Sequence, residues 1–411
     1  MFSTYAYKLR WSFRKNWPDI QGIFLKKYPD FVFNSSPSSL DNQVPVFVFH
    51  SVDPITFEEQ LLYLKKNDYK TLNADELFQI LKGKKSLPER SVALTFDDGV
   101  ASLYSVAWPL LKKYEYQAIS FLIPGCIPDD APASASFDDY LSGQVAFEKL
   151  LEREQGDFPL CSWQEINEIH QSGEIDFQAH TMYHHLVNVS PKVVDYINPN
   201  FDFYFYANVH VPVYYEEGTP NYKRDVASGT PVYRAEPRMR GVPQYFDNED
   251  VRKACVDFVK GKGRASFFMK VDWRQQLKKH HQRQGEKFGL GTYESQSEMR
   301  DNILWDFKTC KKEIEKNISG KKVEHFCFPW FIGSDTAVEL ARQAGFRSLY
   351  WGVLPDRKCN SAHDNPLHIV RIEDRFLHLL PGAGRRSLPQ VVSEKVSKYL
   401  PIFKKRLQNA R

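Results

Sequence analysis

Short apolar runs with a period of two, each followed by a stretch of helical character, recur along the chain. Pro45–Phe49 reads as a strand, and Phe57–Lys66 as an amphipathic helix with Leu61, Leu62 and Leu64 on its apolar side. Asn73 followed by Glu76 three residues on predicts a capped helix through Leu81. In Ser91-Val-Ala-Leu-Thr-Phe-Asp-Asp-Gly99, Val92, Leu94 and Phe96 alternate with Ala93 and Thr95, the pattern of a buried strand. A helix over 101–114, a strand over 118–124 and a helix over 162–172 opened by Ser162 and Glu165 come next. Ile175–His180 alternates as a strand again. Later come a helix over 301–318, a strand over 323–328 and a helix over 335–344. Regular alternation of strand and helix calls for a parallel sheet with helices outside.

Between about 196 and 291 the pattern changes. Phe201, Phe203, Tyr204, Phe205, Tyr206, Tyr214 and Tyr215 crowd together, and prolines at 199, 212, 220, 231, 237 and 243 predict that no long element forms there. The region reads as an insertion, either a lid with aromatic faces for sugar rings or a cap whose aromatics bury one another. Lys260–Arg264 and Lys278–Arg283 give it a basic edge, suited to an anionic glycan or lipid-linked phosphate or simply to solvent. Ser35–Ser39 reads as a linker between an N-terminal extension, 1–40, and a main domain, 41–385. The tail, 386–411, is basic. From 385 onward eight Lys/Arg face one acid, about +7, with apolar residues interleaved; this suits an anionic membrane surface, although Pro401 interrupts a helix and solvated packing is the simpler reading.

Candidate chemistry lies where the strands end. Asp97 and Asp98 stand side by side before Gly99, which admits unusual backbone angles. Alone, the peptide fits a capped turn. Adjacent carboxylates repel, however, and a divalent cation would absorb the charge by taking one as ligand and leaving the other as a base. The second strand, ending at His180, is followed by His184 and His185. Imidazoles at that spacing form a metal-ligand set that needs a carboxylate.

Taken together, Thr95–Gly99 and His180-Thr-Met-Tyr-His184 resemble the first two motifs of the polysaccharide deacetylase family (NodB homology, carbohydrate esterase family 4). Val44–His50 with the following helix is similar to that family's entry strand and first helix. Val323-Glu-His-Phe-Cys-Phe-Pro329-Trp330 with Ala344–Arg347 is similar to its third motif and next helix. The resemblance spans about 41–190 and 300–375. It implies a distorted (β/α) barrel with its chemistry at the C-terminal rim of the strands. It also implies a divalent ion, with zinc expected, held by Asp98, His180 and His184, and Asp97 as general base. The ion would lower the pKa of a water and polarise an acetyl carbonyl, with a backbone N–H near Pro124 as a further oxyanion donor. For the general acid His368 is the nearest positional match and His378 a weaker one. Cys327 stands where many members place an arginine that orients the base, and His185 stands where the family often has proline, which makes it an alternative to His184.

The implied reaction is removal of N-acetyl groups from an N-acetylhexosamine glycan or a lipid-linked saccharide. An O-acetyl esterase using the same groups and a non-catalytic glycan-binding scaffold are the other readings. Composition narrows this little. With 411 residues, 42% hydrophobic and 26% charged, the chain is globular, and a net charge of +4 does not indicate nucleic acid. Six scattered cysteines without a Cys-x-x-Cys pair read as buried hydrophobes in a reducing compartment. Neither a cleavable signal nor an apolar run of about 18 residues is seen, so a cytoplasmic location is expected, with peripheral membrane contact open.

Overall fold

The computed structural model describes residues 21–132, 135–156, 159–201, 214–216, 219–221 and 226–394. Its main sheet is built from β1 (Val46–Phe49), β2 (Ser91–Asp98), β3 (Ala118–Leu122) and β4 (Ile175–Ala179). After an inserted hairpin of β5 (Leu186–Tyr196) and β6 (Pro231–Pro237), it continues with β7 (His325–Cys327) and β8 (Ser348–Trp351). Two short strands, β9 (Ile369–Val370) and β10 (Ile372–Glu373), complete it. The hydrogen-bonded order is β9-β8-β7-β4-β3-β2-β1-β10, parallel throughout. Since β9 and β10 flank a single residue, Arg371, one extended segment bonds to both edges of the sheet. The sheet is thereby closed into the expected distorted (β/α) barrel.

Period-two alternation assigns each strand's side chains to one of two cores. Val92, Leu94, Phe96, Ala118, Leu122, Phe177, Phe326 and Leu349 pack outward in the main core beneath the helices. Val46, Ala93, Ile119, Phe121, Cys327, Tyr350 and Ile369 form a separate cluster inside the barrel. Leu77, Ile80 and Leu81 of the helix Ala74–Leu81 pack against that interior cluster, and the helix starts with the expected Asn73–Glu76 capping box. Ser162 and Glu165 form the other expected box.

Several elements differ from expectation. The helix predicted over 101–114 opens as a wider π-type turn, Leu103–Ala107, before Trp108–Tyr114, because Pro109 has no N–H to donate to the preceding turn. The helix predicted to start at Asp301 starts at Gln296, where Ser295 and Glu298 form a further capping box. Inside the insertion two long helices do form, Glu249–Gly261 and Trp273–Phe288, because its prolines fall outside them. They share a small core with Tyr196, Phe267 and Trp273, so these aromatics bury one another. The densest aromatic run, from Phe203 to Tyr206, lies outside the described residues, as do the side chains of Tyr214 and Tyr215.

Nor are residues 21–40, the described part of the N-terminal segment, set apart by a linker. Tyr28, Phe31, Val32 and Leu40 are buried in the main core, and Arg385 donates to the carbonyls of Phe31 (2.8 Å), Asn34 (2.7 Å) and Ser35 (3.1 Å). Two of the cations counted in the basic tail are therefore engaged, since Arg386 pairs with Glu59 and Glu394. Residues 395–411 lie outside the described residues. No helix among the described residues is long and apolar enough to cross a membrane.

Closure depends on a buried amide. Asn360 donates to the carbonyls of Val44 (3.2 Å) and Val370 (2.8 Å) and accepts from the Val370 N–H (2.8 Å). Removing one partner of such bonds leaves buried backbone groups unsatisfied. Asn360→Ala is expected to lower the unfolding free energy by about 1–3 kcal/mol, read by urea titration. A loss below about 0.5 kcal/mol would show that closure does not need this side chain.

Candidate active site

The inward alternation that builds the interior cluster continues into polar residues toward the C-terminal ends of the strands. On β2 Ala93 is followed on the same face by Thr95 and Asp97; on β4 Asp176 and Gln178 are followed by His180; on the closing segment Ile369 is followed by Arg371. Asp97, His180 and Arg371 are all buried. Sheet geometry thus delivers these groups to one place.

Arg371 clamps Asp97. Its Nη1 donates to Oδ1 at 2.6 Å and its Nη2 to Oδ2 at 2.9 Å, a two-pronged pair that fixes both position and plane of the carboxylate. Nη1 also reaches Thr95 Oγ1 at 3.2 Å. Burial pushes the Asp97 carboxyl up, but Arg371 first, then His180 and His50, overrule it and hold it well below the usual carboxylate range. A carboxyl lowered on folding contributes stability above its unfolded pKa and loses it only as pH falls through the lower folded value. Asp97 is therefore ionised throughout the neutral range. Arg371, buried but facing Asp97, stays charged.

Asp98 turns out of the strand. Its φ of 70° and the 73° of Gly99 are left-handed, which Asp tolerates better than most side chains and glycine best. The turn brings Asp98 Oδ1 to 3.6 Å from His180 Nε2 and 3.8 Å from His184 Nε2. Oδ1 is buried and has no hydrogen-bond partner. Three donor atoms bound at about 2.0–2.2 Å to one tetrahedral ion lie roughly 3.4 Å apart, so this trio is spaced for a single cation. His180 Nδ1 lies 2.8 Å from the Cys327 carbonyl, which directs Nε2 at Asp98. Burial, reinforced by His184 against the pull of Asp97, lowers His180 to about 4, leaving its imidazole neutral as a ligand must be.

His185 goes elsewhere. It is half-buried near Arg238, its Nδ1 has no partner, and desolvation lowers it to about 3. His184, not His185, faces Asp98. His368 is not brought to the cluster either. It stacks on Trp351 with ring centroids 5.7 Å apart, and its Nδ1 faces Asn365 at 3.0 Å. His378 packs edge-on against Tyr63, away from the site. Instead, besides His180, whose Nε2 lies 3.9 Å from Asp97 Oδ2, the histidine that approaches Asp97 is His50, just past the end of β1, with Nε2 4.0 Å from the same oxygen and a side chain 54% exposed. Cys327 Sγ lies 3.9 Å from both Asp97 oxygens, its thiol pushed well up by burial, and Arg371 fills the orienting place it leaves vacant. The amide donor expected near Pro124 is already used: Gly125 and Cys126 donate to the carbonyls of Met182 and Ile123. Half-exposed Trp330 borders the cluster, its ring 5.2 Å from that of His184.

Sequence comparison covers the heart of this arrangement. The sequence model of the family described as polysaccharide deacetylase matches residues 84–197. Over this segment the chain is similar to the polysaccharide deacetylase family. The matched segment contains Asp97, Asp98, His180 and His184, whereas His50 and Arg371 lie outside it. The chain is 30% identical over 138 residues to a poly-β-1,6-N-acetyl-D-glucosamine N-deacetylase of Escherichia coli (strain K12), covering 33% of this chain and 18% of that one. It is 33% identical over 141 residues to an enzyme of the same name from Staphylococcus aureus (strain MSSA476), covering 34% and 40%. It therefore matches less than half the length of either relative. Among solved structures, a de-N-acetylase from Aggregatibacter actinomycetemcomitans is similar at 20% identity, with a TM-score of 0.49 over 80% of this chain and 95% of that one.

Removing Arg371 isolates a buried charge. Arg371→Met is expected to destabilise the chelator-treated protein by about 3–5 kcal/mol at neutral pH in urea titrations, and adding Asp97→Asn should recover most of that loss. A single-variant loss under about 1 kcal/mol would mean that water reaches Asp97 and the clamp is dispensable.

Proposed function

We propose that the chain is a metal-dependent deacetylase that hydrolyses N-acetyl groups on an N-acetylhexosamine glycan or lipid-linked saccharide. The observation that carries this reading is the pairing of a clamped, ionised Asp97 with the partnerless Asp98 oxygen facing two imidazoles. The names of the two sequence relatives support the substrate class.

Asp98, His180 and His184 would hold the ion, and their mixed oxygen–nitrogen donor set suits zinc. When bound, it would polarise the acyl oxygen and acidify a water, the chemistry that a weak base requires. Asp97 is such a base. Stabilised by Arg371, its Oδ2 accepts a proton readily only from a group already acidified. That same oxygen faces His50, which is exposed enough to meet substrate. In this reading His50, rather than His368, protonates the departing amine. Esters need little help at the leaving oxygen, so an acid in this place favours amide over ester hydrolysis. Trp330 offers a flat apolar face beside His184 on which a sugar ring can stack.

Acetate release from β-1,6-linked N-acetylglucosamine oligomers tests the reading. Release should stop with a chelator and return with added divalent ion. His50→Ala should lower kcat by about 10²–10⁴-fold, while His368→Ala should change it less than about threefold. Chelator-resistant release would sink the metal reading. The reverse ranking of the two histidine variants would return the acid's role to His368.

A further inference from the structure

The loop that carries both imidazoles has an unusual backbone, and its restraints are not local. Thr181 and His184 sit at φ of 70° and 51°, conformations that cost energy for these side chains and persist only where surroundings enforce them. His180 N–H is held by the Leu122 carbonyl at 2.9 Å, and His184 N–H by Thr181 Oγ1 at 2.9 Å. The peptide groups of Met182 lie between these. Met182 C=O accepts from the Gly125 N–H at 2.9 Å. A Cβ at Gly125 would sit 2.6 Å from that carbonyl oxygen and 2.4 Å from the Tyr183 ring, so the approach requires glycine. Met182 N–H donates to Asp306 Oδ1 at 2.8 Å.

Asp306 is a costly residue to spend on one amide. It sits in the middle of the helix Gln296–Asn317, 1% exposed, and its Oδ2 has no hydrogen-bond partner. No ion pair between Asp306 and a cation occurs among the described residues; Arg238, across a small cleft also lined by His185, pairs with Glu294 instead. Burial raises the Asp306 carboxyl to about 7, so a protonated form close in shape to Asn is populated near neutrality. A buried carboxylate with half its acceptors idle is expensive on folding grounds alone, which points to the one bond it makes.

We infer that Asp306 is a positioning residue for the metal site: by holding the Met182 N–H it sets the spacing of His180 and His184 around Asp98. The inference rests on the metal reading above. Outer partners of this kind, when removed, typically weaken metal binding by 10–100-fold. The probe is Co²⁺ alone, titrated into the chelator-stripped full chain, with affinity read by calorimetry and ligand geometry by the visible d–d absorption. Asp306→Ala should bind Co²⁺ about 10–100-fold more weakly, with an altered absorption envelope. Asp306→Asn keeps an acceptor in place and should stay within about threefold of wild type. Asp306→Glu keeps the charge but moves it by one methylene, and should behave like D306A; it serves as the test if D306A does not fold. Wild-type affinity and spectrum in both D306A and D306E would overturn the inference. So would equal losses in D306N and D306A, which would make charge rather than placement the cause. A wild-type chain that takes up no Co²⁺ would instead sink the metal reading itself, a distinguishable result.

Discussion

A carboxylate in the middle of a barrel is tolerable only if something charged meets it there, and here the partner arrives on the segment that closes the sheet. Ile369–Val370 bonds to one edge, Ile372–Glu373 to the other, and Arg371 between them reaches inward to Asp97. Closure and neutralisation are therefore one event. In an open sheet Asp97 would be stranded beside Asp98 among Phe121, Tyr350 and Cys327, with its desolvation uncompensated. Once closed, the guanidinium also lies 5.6 Å from the Phe121 ring and 5.1 Å from that of Phe331, whose faces favour a cation. The reactive carboxylate thus acquires its electrostatic environment from the architecture, with no contribution required from substrate.

Backbone strain concentrates at the same rim. Of thirteen non-glycine residues with left-handed φ among the described residues, Asp98, Thr181, His184, Trp330 and Phe331 surround this one cluster. Each costs on the order of 1–3 kcal/mol unless neighbours enforce it. Regular strands direct alternate side chains inward, which suffices for Asp97 and His180. Getting Asp98 and His184 to the same point from outside that alternation requires the chain to turn sharply. The strain is the cost of converging four side chains from two strand ends on a volume the size of one ion.

The barrel and most of the cluster were legible in the sequence because their signals are local. Period-two runs that end abruptly in charge, as at Phe96-Asp97-Asp98, mark both a strand and its rim within a few residues. Capping boxes at Asn73 and Ser162 are equally local. Arg371 was not legible as a partner of Asp97, since 274 residues separate them and Ile-Val-Arg-Ile looks like a strand with one exposed cation. A lone arginine amid β-formers at the last strand, in a chain whose third motif has Cys327 in arginine's place, was the available signal. His50 was hidden for a similar reason: it ends the first strand, far in sequence from the motifs, whereas His368 adjoins the last one. The helices of the insertion were obscured because its prolines, which fall outside them, dominate the composition of the stretch around them.

The insertion is tied to the site more closely than its composition suggests. Its hairpin leaves immediately after His185, and the return strand ends at Pro237, just before Arg238, whose N–H donates back to the His185 carbonyl at 3.4 Å. Arg238 then forms a buried pair with Glu294, which also accepts from the Gln244 N–H (2.7 Å) and Asn302 (3.0 Å). Asn302 lies one turn before Asp306 on the same helix. The histidine loop is therefore bracketed by the base of the insertion on one side and by a helix on the other, and a buried ion pair joins the two brackets. Unfolding the insertion's base would release His185 and loosen the helix that holds Met182. Its hydrogen bonds therefore make the base of the insertion part of the framework of the imidazole pair.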